Sequence, residues 1–199
     1  MTFLVLRANG PVELTVPDGD TTILQALLDA QEQVPDLAFR YGCRNERCGT
    51  CTVEVDGQRR LGCRDRLRAG QVVGPLSGFP VIKDLVVDRS RVAEQLRSVP
   101  VRPAVGTADG AWASLGRCID CLACVADCPL FAAGRGTPVT FLKLQRAALE
   151  GARSEAVDAA VALGLTDACA DCRGCRCSVG IRLIDEVIDP LLDAASDLP

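Results

Sequence analysis

The sequence of 199 residues contains no histidine, and aromatic residues make up only 4% of it. The lack of histidine excludes a Rieske-type cluster, histidine-ligated zinc and the most common general base of enzymes. The scarcity of aromatic rings argues against stacking on nucleic-acid bases, and a net charge of −4 without a basic run argues against nucleic acid as a partner.

Long apolar runs are also missing, so the sequence predicts no membrane-spanning helix. The segment Met1–Arg7 lacks the layout of a signal peptide, and we therefore expect a cytoplasmic protein. Twelve cysteines stand out against this background, and they fall into three tight groups. Neighbours only two residues apart would form strained disulfides, so metal binding is the better interpretation.

The central group, Cys118–Pro129, has the spacing C-x2-C-x2-C-x3-C-P, which is typical of cubane clusters in bacterial ferredoxins. The first three thiolates can surround one cluster, and Cys128 is then directed toward another. Pro129 prevents the loop from continuing as a helix. A zinc knuckle is the alternative, although it needs only two cysteine pairs.

The N-terminal part predicts a β-grasp domain. Two alternating segments, Thr2–Arg7 and Val12–Val16, indicate a hairpin. A helix follows, capped by Asp20 or Thr21, with an apolar face that consists of Ile23, Leu24, Leu27 and Leu28. Two further hairpin strands, Thr52–Val55 and Gln58–Leu61, and a closing strand, Val72–Leu76, are predicted after a cysteine-rich loop.

That loop has the spacing C-x4-C-x2-C, and another cysteine lies twelve residues beyond it. This is the plant-type ligand pattern for a [2Fe–2S] cluster, and it assigns Cys43, Cys48, Cys51 and Cys63. Gly42 and Gly49 are expected to let the backbone turn tightly and to bring amide N–H groups near the sulfur atoms.

The run Gly74–Pro80 is rich in glycine and proline and predicts the domain boundary. We expect an α+β protein with a β-grasp [2Fe–2S] ferredoxin domain over residues 1–80. An all-helical, bacterial-ferredoxin-like domain over residues 81–199 should bind two cubane-type clusters. Its helices are expected at Arg89–Arg97, Val139–Leu149 and Ser154–Leu163.

The chain resembles the iron–sulfur subunit of succinate dehydrogenases and fumarate reductases. Four segments carry the resemblance in the right order: Cys43–Cys63, Phe79–Asp88 with its sequence Val-Ile-Lys-Asp-Leu-Val-Val-Asp, Cys118–Pro129, and Cys169–Ile181. The resemblance implies an electron-transfer subunit without substrate chemistry of its own. It would relay single electrons between an FAD-containing dicarboxylate oxidoreductase subunit (succinate or fumarate) and a quinone site in a membrane anchor, peripheral on the cytoplasmic face.

The resemblance also implies the remaining ligands. A [4Fe–4S] cluster would be held by Cys118, Cys121, Cys124 and Cys177. A third cluster would take Cys128, Cys169 and Cys175, and in most family members it is [3Fe–4S]. This chain adds Cys172, so we predict a [4Fe–4S] cluster there, with [3Fe–4S] as the alternative if Cys172 is an idle thiol. Only one residue separates Cys175 from Cys177, which leaves open an exchange of their assignments.

The acceptor end departs from the family. The family's quinone site uses a tryptophan after the Cys-Pro and often a histidine after the first cysteine of the last group, but this chain has Leu130–Ala133 and Ala170 there. Three alternatives therefore stay open. They are the iron–sulfur subunit of a soluble or non-quinone flavin oxidoreductase, such as a thiol-linked fumarate reductase, a free electron-carrier ferredoxin, and a structural zinc module.

Overall fold

The structure is a computed structural model that describes residues 1–100 and 110–197. The chain separates into two compact units. The first comprises Met1–Asp88 together with Ile119–Ala123, and the second comprises the described residues of Arg89–Cys118 and Cys124–Pro199. The central cysteine run therefore contributes five of its residues to the first unit.

The first unit is built on a five-stranded mixed sheet with the strand order β2-β1-β5-β3-β4. The strands are β1 (Thr2–Val5), β2 (Val12–Thr15), β3 (Thr52–Val55), β4 (Gln58–Leu61) and β5 (Val72–Gly74). The two predicted hairpins, β1–β2 and β3–β4, are both antiparallel. The central pair, β1 and β5, is parallel, with Leu4 opposite Val72.

One helix, α1 (Ile23–Ala30), covers this sheet, and Thr22 rather than Asp20 or Thr21 is its N-cap. The Thr22 hydroxyl accepts a hydrogen bond from the Gln25 amide at 3.1 Å, which satisfies one of the free donors of the first turn. The apolar face of α1 packs with inward side chains of the strands, and together they form a core of Phe3, Val5, Leu14, Ile23, Leu27, Val53, Val55 and Val73.

The first unit continues beyond the boundary expected at Pro80. Strands β6 (Val81–Lys83) and β7 (Val86–Val87) form a separate two-stranded sheet. Leu85 is buried in the core of the first unit, and its amide donates to the Ala38 carbonyl at 3.1 Å. These contacts explain why the unit reaches Asp88.

The regular elements of the described second unit are helices. They are α2 (Ser90–Arg97), α3 (Gly110–Leu115), α4 (Pro129–Ala132), α5 (Pro138–Ala147), α6 (Arg153–Ala162), α7 (Leu165–Ala168) and α8 (Asp189–Ser196). Two π-helical stretches, Ala148–Ala152 and Ile184–Ile188, follow α5 and precede α8. The chain bends at Gly151, where φ is +98°, so the segments predicted as two helices remain separate. The core of this unit includes Phe141, Leu142, Leu165 and Leu191.

Candidate iron–sulfur cluster sites

The first cysteine group forms a loop whose backbone amides surround the sulfur atoms. The amides of Asn45 and Arg47 both donate to Cys43 Sγ at 3.3 Å. Cys48 Sγ accepts from the Cys43 amide at 3.3 Å. Two longer bonds of 3.4 Å join the Glu46 amide to Cys63 Sγ and the Cys63 amide to Cys51 Sγ. Each of the four thiols therefore accepts at least one backbone hydrogen bond.

Left-handed backbone conformations give the loop this shape. Arg44 and Glu46 have φ values of +56° and +55°, although neither is a glycine. Residues that alternate between right- and left-handed conformations turn successive N–H groups toward one side, which makes an anion-binding concavity. Such strained conformations persist where the surroundings hold them and are common at functional sites. The loop geometry is therefore suited to a negatively charged group.

The thiols of this group differ in acidity. The pKa of Cys48 is lowered to about 6 by a hydrogen bond from the Thr50 side chain and by the Cys43 amide, so a thiolate is favoured. Burial raises the pKa of Cys51 to about 12. A metal overcomes such a penalty, because a coordinating thiol is deprotonated outright. Thr50 was not singled out from the sequence, and its position two residues after a ligand cysteine was the available signal.

The amide donors fit an iron–sulfur cluster. A [2Fe–2S] cluster on four thiolates carries net negative charge, and hydrogen bonds to its sulfur atoms stabilise that charge and influence its reduction potential. The expected role of Gly49 in a tight turn agrees with its φ of +61°. Arg44, in the same loop, has its guanidinium 5.0 Å from the centre of the Tyr41 ring.

The central cysteine run is divided between the two units. Cys121 lies in the first unit, where it packs in a small apolar cluster with Cys51, Leu61 and Ala123, and with the partly buried Cys63. Cys118, Cys124 and Cys177 are partly buried against the core of the second unit. The assignment of Cys118, Cys121, Cys124 and Cys177 to one [4Fe–4S] cluster stays a prediction.

Three thiols of the second unit, those of Cys128, Cys169 and Cys175, have raised pKa values. Burial raises the pKa of Cys175 to about 12, and the thiolates of Cys128, Cys169 and Cys172 raise it further. Burial likewise raises the pKa of Cys169 to about 11, with added repulsion from Cys128 and Cys172. The same two causes, burial and the charge of Cys172, raise the pKa of Cys128. The raised pKa values of Cys128, Cys169 and Cys175 therefore all have the charge of Cys172 among their causes.

All twelve cysteines lie in the described part of the chain, where each is a thiol rather than half of a disulfide. Within the described residues, no three Cys, Asp or Glu side chains converge on a point where one metal ion could bind. Zinc requires four ligands at about 2.0–2.3 Å from a single ion, whereas cluster ligands bind different iron atoms and stand further apart.

Comparisons with known proteins agree with this chemistry. Residues 11–94 match the family described as a 2Fe-2S iron-sulfur cluster binding domain. The chain is 34% identical over 105 residues to one subunit of the fumarate reductase (CoM/CoB) from Methanothermobacter marburgensis, which covers 48% of this chain and 21% of that protein. It is 32% identical over 133 residues to the fumarate reductase iron-sulfur subunit of Escherichia coli O6:H1, with 57% of this chain and 54% of the relative covered.

The chain is thus similar to the iron–sulfur subunits of fumarate reductases, and also to the succinate dehydrogenase iron–sulfur subunit of Paracoccus denitrificans, with 30% identity over 55% of this chain and 48% of that relative. Its fold agrees, since it matches a chain of the "Mycobacterium smegmatis Sdh1 complex in the apo form" with a TM-score of 0.79 and 24% identity. That match covers 98% of this chain and 95% of the other. The chain spans only 21% and 54% of the two fumarate reductase relatives, respectively.

The α+β class expected from the sequence is therefore confirmed, as are the iron–sulfur and 2Fe-2S assignments of the family. None of the helices in residues 1–100 and 110–197 combines the length and the apolar character that a bilayer crossing requires.

Proposed function

We propose that this chain is an electron-transfer subunit that relays single electrons between an FAD-containing dicarboxylate oxidoreductase subunit and a quinone site in a membrane anchor. The observation that carries the proposal is the set of amide-to-sulfur hydrogen bonds around Cys43, Cys48, Cys51 and Cys63, in a chain similar to these iron–sulfur subunits. Iron–sulfur clusters, when bound, accept and release one electron at a time.

Three ligand sets follow from this proposal. Cys43, Cys48, Cys51 and Cys63 would hold the [2Fe–2S] cluster. Cys118, Cys121, Cys124 and Cys177 would hold a [4Fe–4S] cluster in the middle. Cys128, Cys169, Cys172 and Cys175 would hold the third cluster, also [4Fe–4S], and the effect of the Cys172 charge on the pKa values of the other three supports the set. All twelve cysteines would then be ligands.

The protein's own residues would supply the surroundings of these clusters. Backbone N–H groups and the Thr50 hydroxyl stabilise negative charge at the first site. The two sites differ in exposure, since Cys43 of the first site is exposed, whereas none of the four cysteines proposed for the third site is exposed. Because burial and hydrogen bonding set cluster potentials, the two sites should differ in potential.

Electron paramagnetic resonance on anaerobically purified protein, with iron and sulfide analysis, tests the ligand sets. A [3Fe–4S] cluster is paramagnetic when oxidised, whereas an ordinary [4Fe–4S] cluster is silent until it is reduced. We expect a silent oxidised sample and about ten irons per chain. A strong oxidised signal that persists under strictly anaerobic conditions, with about nine irons, would contradict the third set. A colourless protein that contains zinc would contradict all three ligand sets.

In a second candidate function, the chain binds the same three clusters but has other partners. It would be the iron–sulfur subunit of a soluble or non-quinone flavin oxidoreductase. Two observations favour it. One named relative is a fumarate reductase (CoM/CoB), and Leu130, Phe131 and Ala170 offer no side-chain hydrogen bond donor where the family binds quinone.

Purification of the tagged chain from its native cells separates the candidates. A flavoprotein and a hydrophobic anchor that co-purify from the membrane fraction, with reduction of a quinone analogue, support the first. A flavoprotein in the soluble fraction without quinone activity supports the second. A chain that co-purifies with neither and reduces added acceptors by itself would indicate a free ferredoxin.

A further inference from the structure

Gly49 lies where the first cysteine loop meets the segment Ile119–Ala123 within the first unit. A Cβ atom added to Gly49 would lie 2.5 Å from the Cys121 Cα atom and 2.6 Å from its amide nitrogen, and closer still to the Ile119 carbonyl oxygen. Side-chain Cβ atoms essentially never approach other heavy atoms within 3.0 Å. Glycine is therefore the only residue that allows this contact.

Neither the cysteine loop at Gly49 nor the segment around Cys121 can easily move to relieve a clash. The neighbouring atoms belong to backbone, so no side-chain rotation can relieve a clash. Asp120 and Leu122, on either side of Cys121, have φ values of +51° and +62°, a conformation with little freedom for residues other than glycine. On the loop side, the hydroxyl of the buried Thr52 donates to the Gly49 carbonyl at 2.8 Å.

The contact also brings ligand residues of two different proposed clusters together. Gly49 follows Cys48 and lies two residues before Cys51, both assigned to the [2Fe–2S] cluster. Cys121, assigned to the middle [4Fe–4S] cluster, packs with Cys51 and Cys63 in one apolar cluster. The backbones that carry these ligands touch without an intervening side chain.

We propose that Gly49 is a positioning residue, whose missing side chain sets the separation between the [2Fe–2S] loop and the segment that carries Cys121. It thereby sets the separation between the first and second clusters, and this inference rests on the ligand sets of the proposed function. Electronic and magnetic coupling between two centres falls steeply with distance. A side chain at position 49 must push the Cys121 Cα atom from 2.5 Å to at least 3.0 Å from the added Cβ.

Gly57 offers a matched control. It also has a left-handed conformation, with φ of +74°, and an added Cβ there would meet nothing within 4 Å. Gly49→Ala and Gly57→Ala therefore impose a similar backbone strain, but only Gly49→Ala pushes the Cys121 segment. Both variants should be prepared as the full chain, with iron and sulfide analysis to establish that the clusters are loaded.

The measurement is the spin–spin interaction between the two clusters after full reduction. We expect wild type and Gly57→Ala to show a [2Fe–2S] signal that relaxes faster once the second cluster is also reduced. Gly49→Ala should show a smaller enhancement than both of them, with an unchanged iron count. Equal enhancement in all three proteins, or an equal loss in both variants, would overturn the inference.

The wild-type protein supplies the decisive reading if Gly49→Ala fails to hold the [2Fe–2S] cluster. Power saturation of its [2Fe–2S] signal is compared at potentials where the second cluster is oxidised and reduced. A saturation power that differs between the two potentials supports the close contact at Gly49. An identical saturation power at both potentials overturns the inference. A wild-type chain without any second cluster refutes the proposed function itself, which keeps the two failures distinguishable.

Discussion

Arg7 and Asp84 form a two-point ion pair across 77 residues of sequence, with Arg7 Nε 3.0 Å from Asp84 Oδ1 and Arg7 Nη2 3.2 Å from Oδ2. The carboxylate is buried, and it also accepts the Ala38 amide at 2.9 Å. This pair anchors the run Val81–Asp88, which carries much of the family resemblance, to the segment that directly follows the first strand, β1. Its role in this chain is thus structural.

The ion pair predicts a stability that depends on pH. Burial by itself raises the pKa of Asp84, but hydrogen bonds from Arg7 and the Ala38 amide outweigh it and hold the pKa below its usual value. A carboxylate whose pKa is lowered by folding stabilises the protein above its unfolded pKa of about 3.9, and that stability is lost as the pH falls through the lower, folded value.

We expect Asp84→Asn to destabilise the chain at pH 7 by about 1–3 kcal/mol, because a buried charged hydrogen bond is lost. The deficit should shrink below about pH 4, where wild type loses the same contribution. Urea unfolding monitored by circular dichroism across pH measures both effects. Asp20→Asn is the control, since Asp20 pairs with Arg66 at the exposed surface and such pairs contribute little. A deficit that is constant with pH would contradict the assignment.

Replacement of Cys172 by serine should convert the third cluster from [4Fe–4S] to [3Fe–4S]. If Cys172 binds its fourth iron, Cys172→Ser loses that iron and acquires the oxidised paramagnetic signal of a [3Fe–4S] cluster. The iron count should fall by about one per chain. Cys177→Ser, five residues further along, is the control and should disturb the middle cluster while the oxidised third site stays silent. An unchanged spectrum in Cys172→Ser would identify Cys172 as an idle thiol.

The acidity of Cys48 can be tested after iron removal. With a pKa of about 6, set first by the Thr50 hydroxyl, Cys48 should react with iodoacetamide half-maximally near pH 6 in the chelator-treated chain. Thr50→Val removes the hydroxyl and should shift this midpoint upward. Cys51, whose pKa burial raises to about 12, should stay unlabelled and serves as an internal control. Peptide mass spectrometry quantifies both sites, and identical midpoints in the two proteins would exclude the role of Thr50.

The core of the second unit depends on Phe141, which is fully buried. Phe141→Ala should lower the free energy of unfolding by about 3–5 kcal/mol, because it leaves a cavity in a packed core. Leu149→Ala, at a residue that is 40% exposed, should change stability by less than about 1 kcal/mol. Trp112 is the only tryptophan and lies in the second unit, so its fluorescence reports unfolding there.

Local patterns predicted the local structure well. Both hairpins, α1 and the helices near residues 90–97, 138–147 and 153–162 were expected within a few residues, because each depends on side-chain alternation, helical spacing or a cap. The plant-type cysteine spacing likewise predicted the [2Fe–2S] loop. Such features depend on neighbours in sequence, which a pattern can display.

Long-range relationships were not accessible in the same way. The parallel pairing of β1 with β5 and the ion pair of Arg7 with Asp84 join residues that are far apart in sequence. The packing of Ile119–Ala123 in the first unit also escaped prediction, since its only sequence signal was a glycine at position 49. Steric fit between two backbones leaves almost no trace in composition or periodicity.

The parallel pairing of β1 with β5 has a consequence for biosynthesis. Leu4 and Val5 pair with Val72 and Val73, and the four cysteines of the first group lie between these strands in sequence. A chain that has emerged only as far as Gly70 contains all four cysteines but lacks β5, so the sheet cannot yet have closed, because loop closure must precede such non-local contacts. All four thiols therefore emerge before the scaffold around them is complete, and this interval is when cluster-assembly factors would find them most accessible.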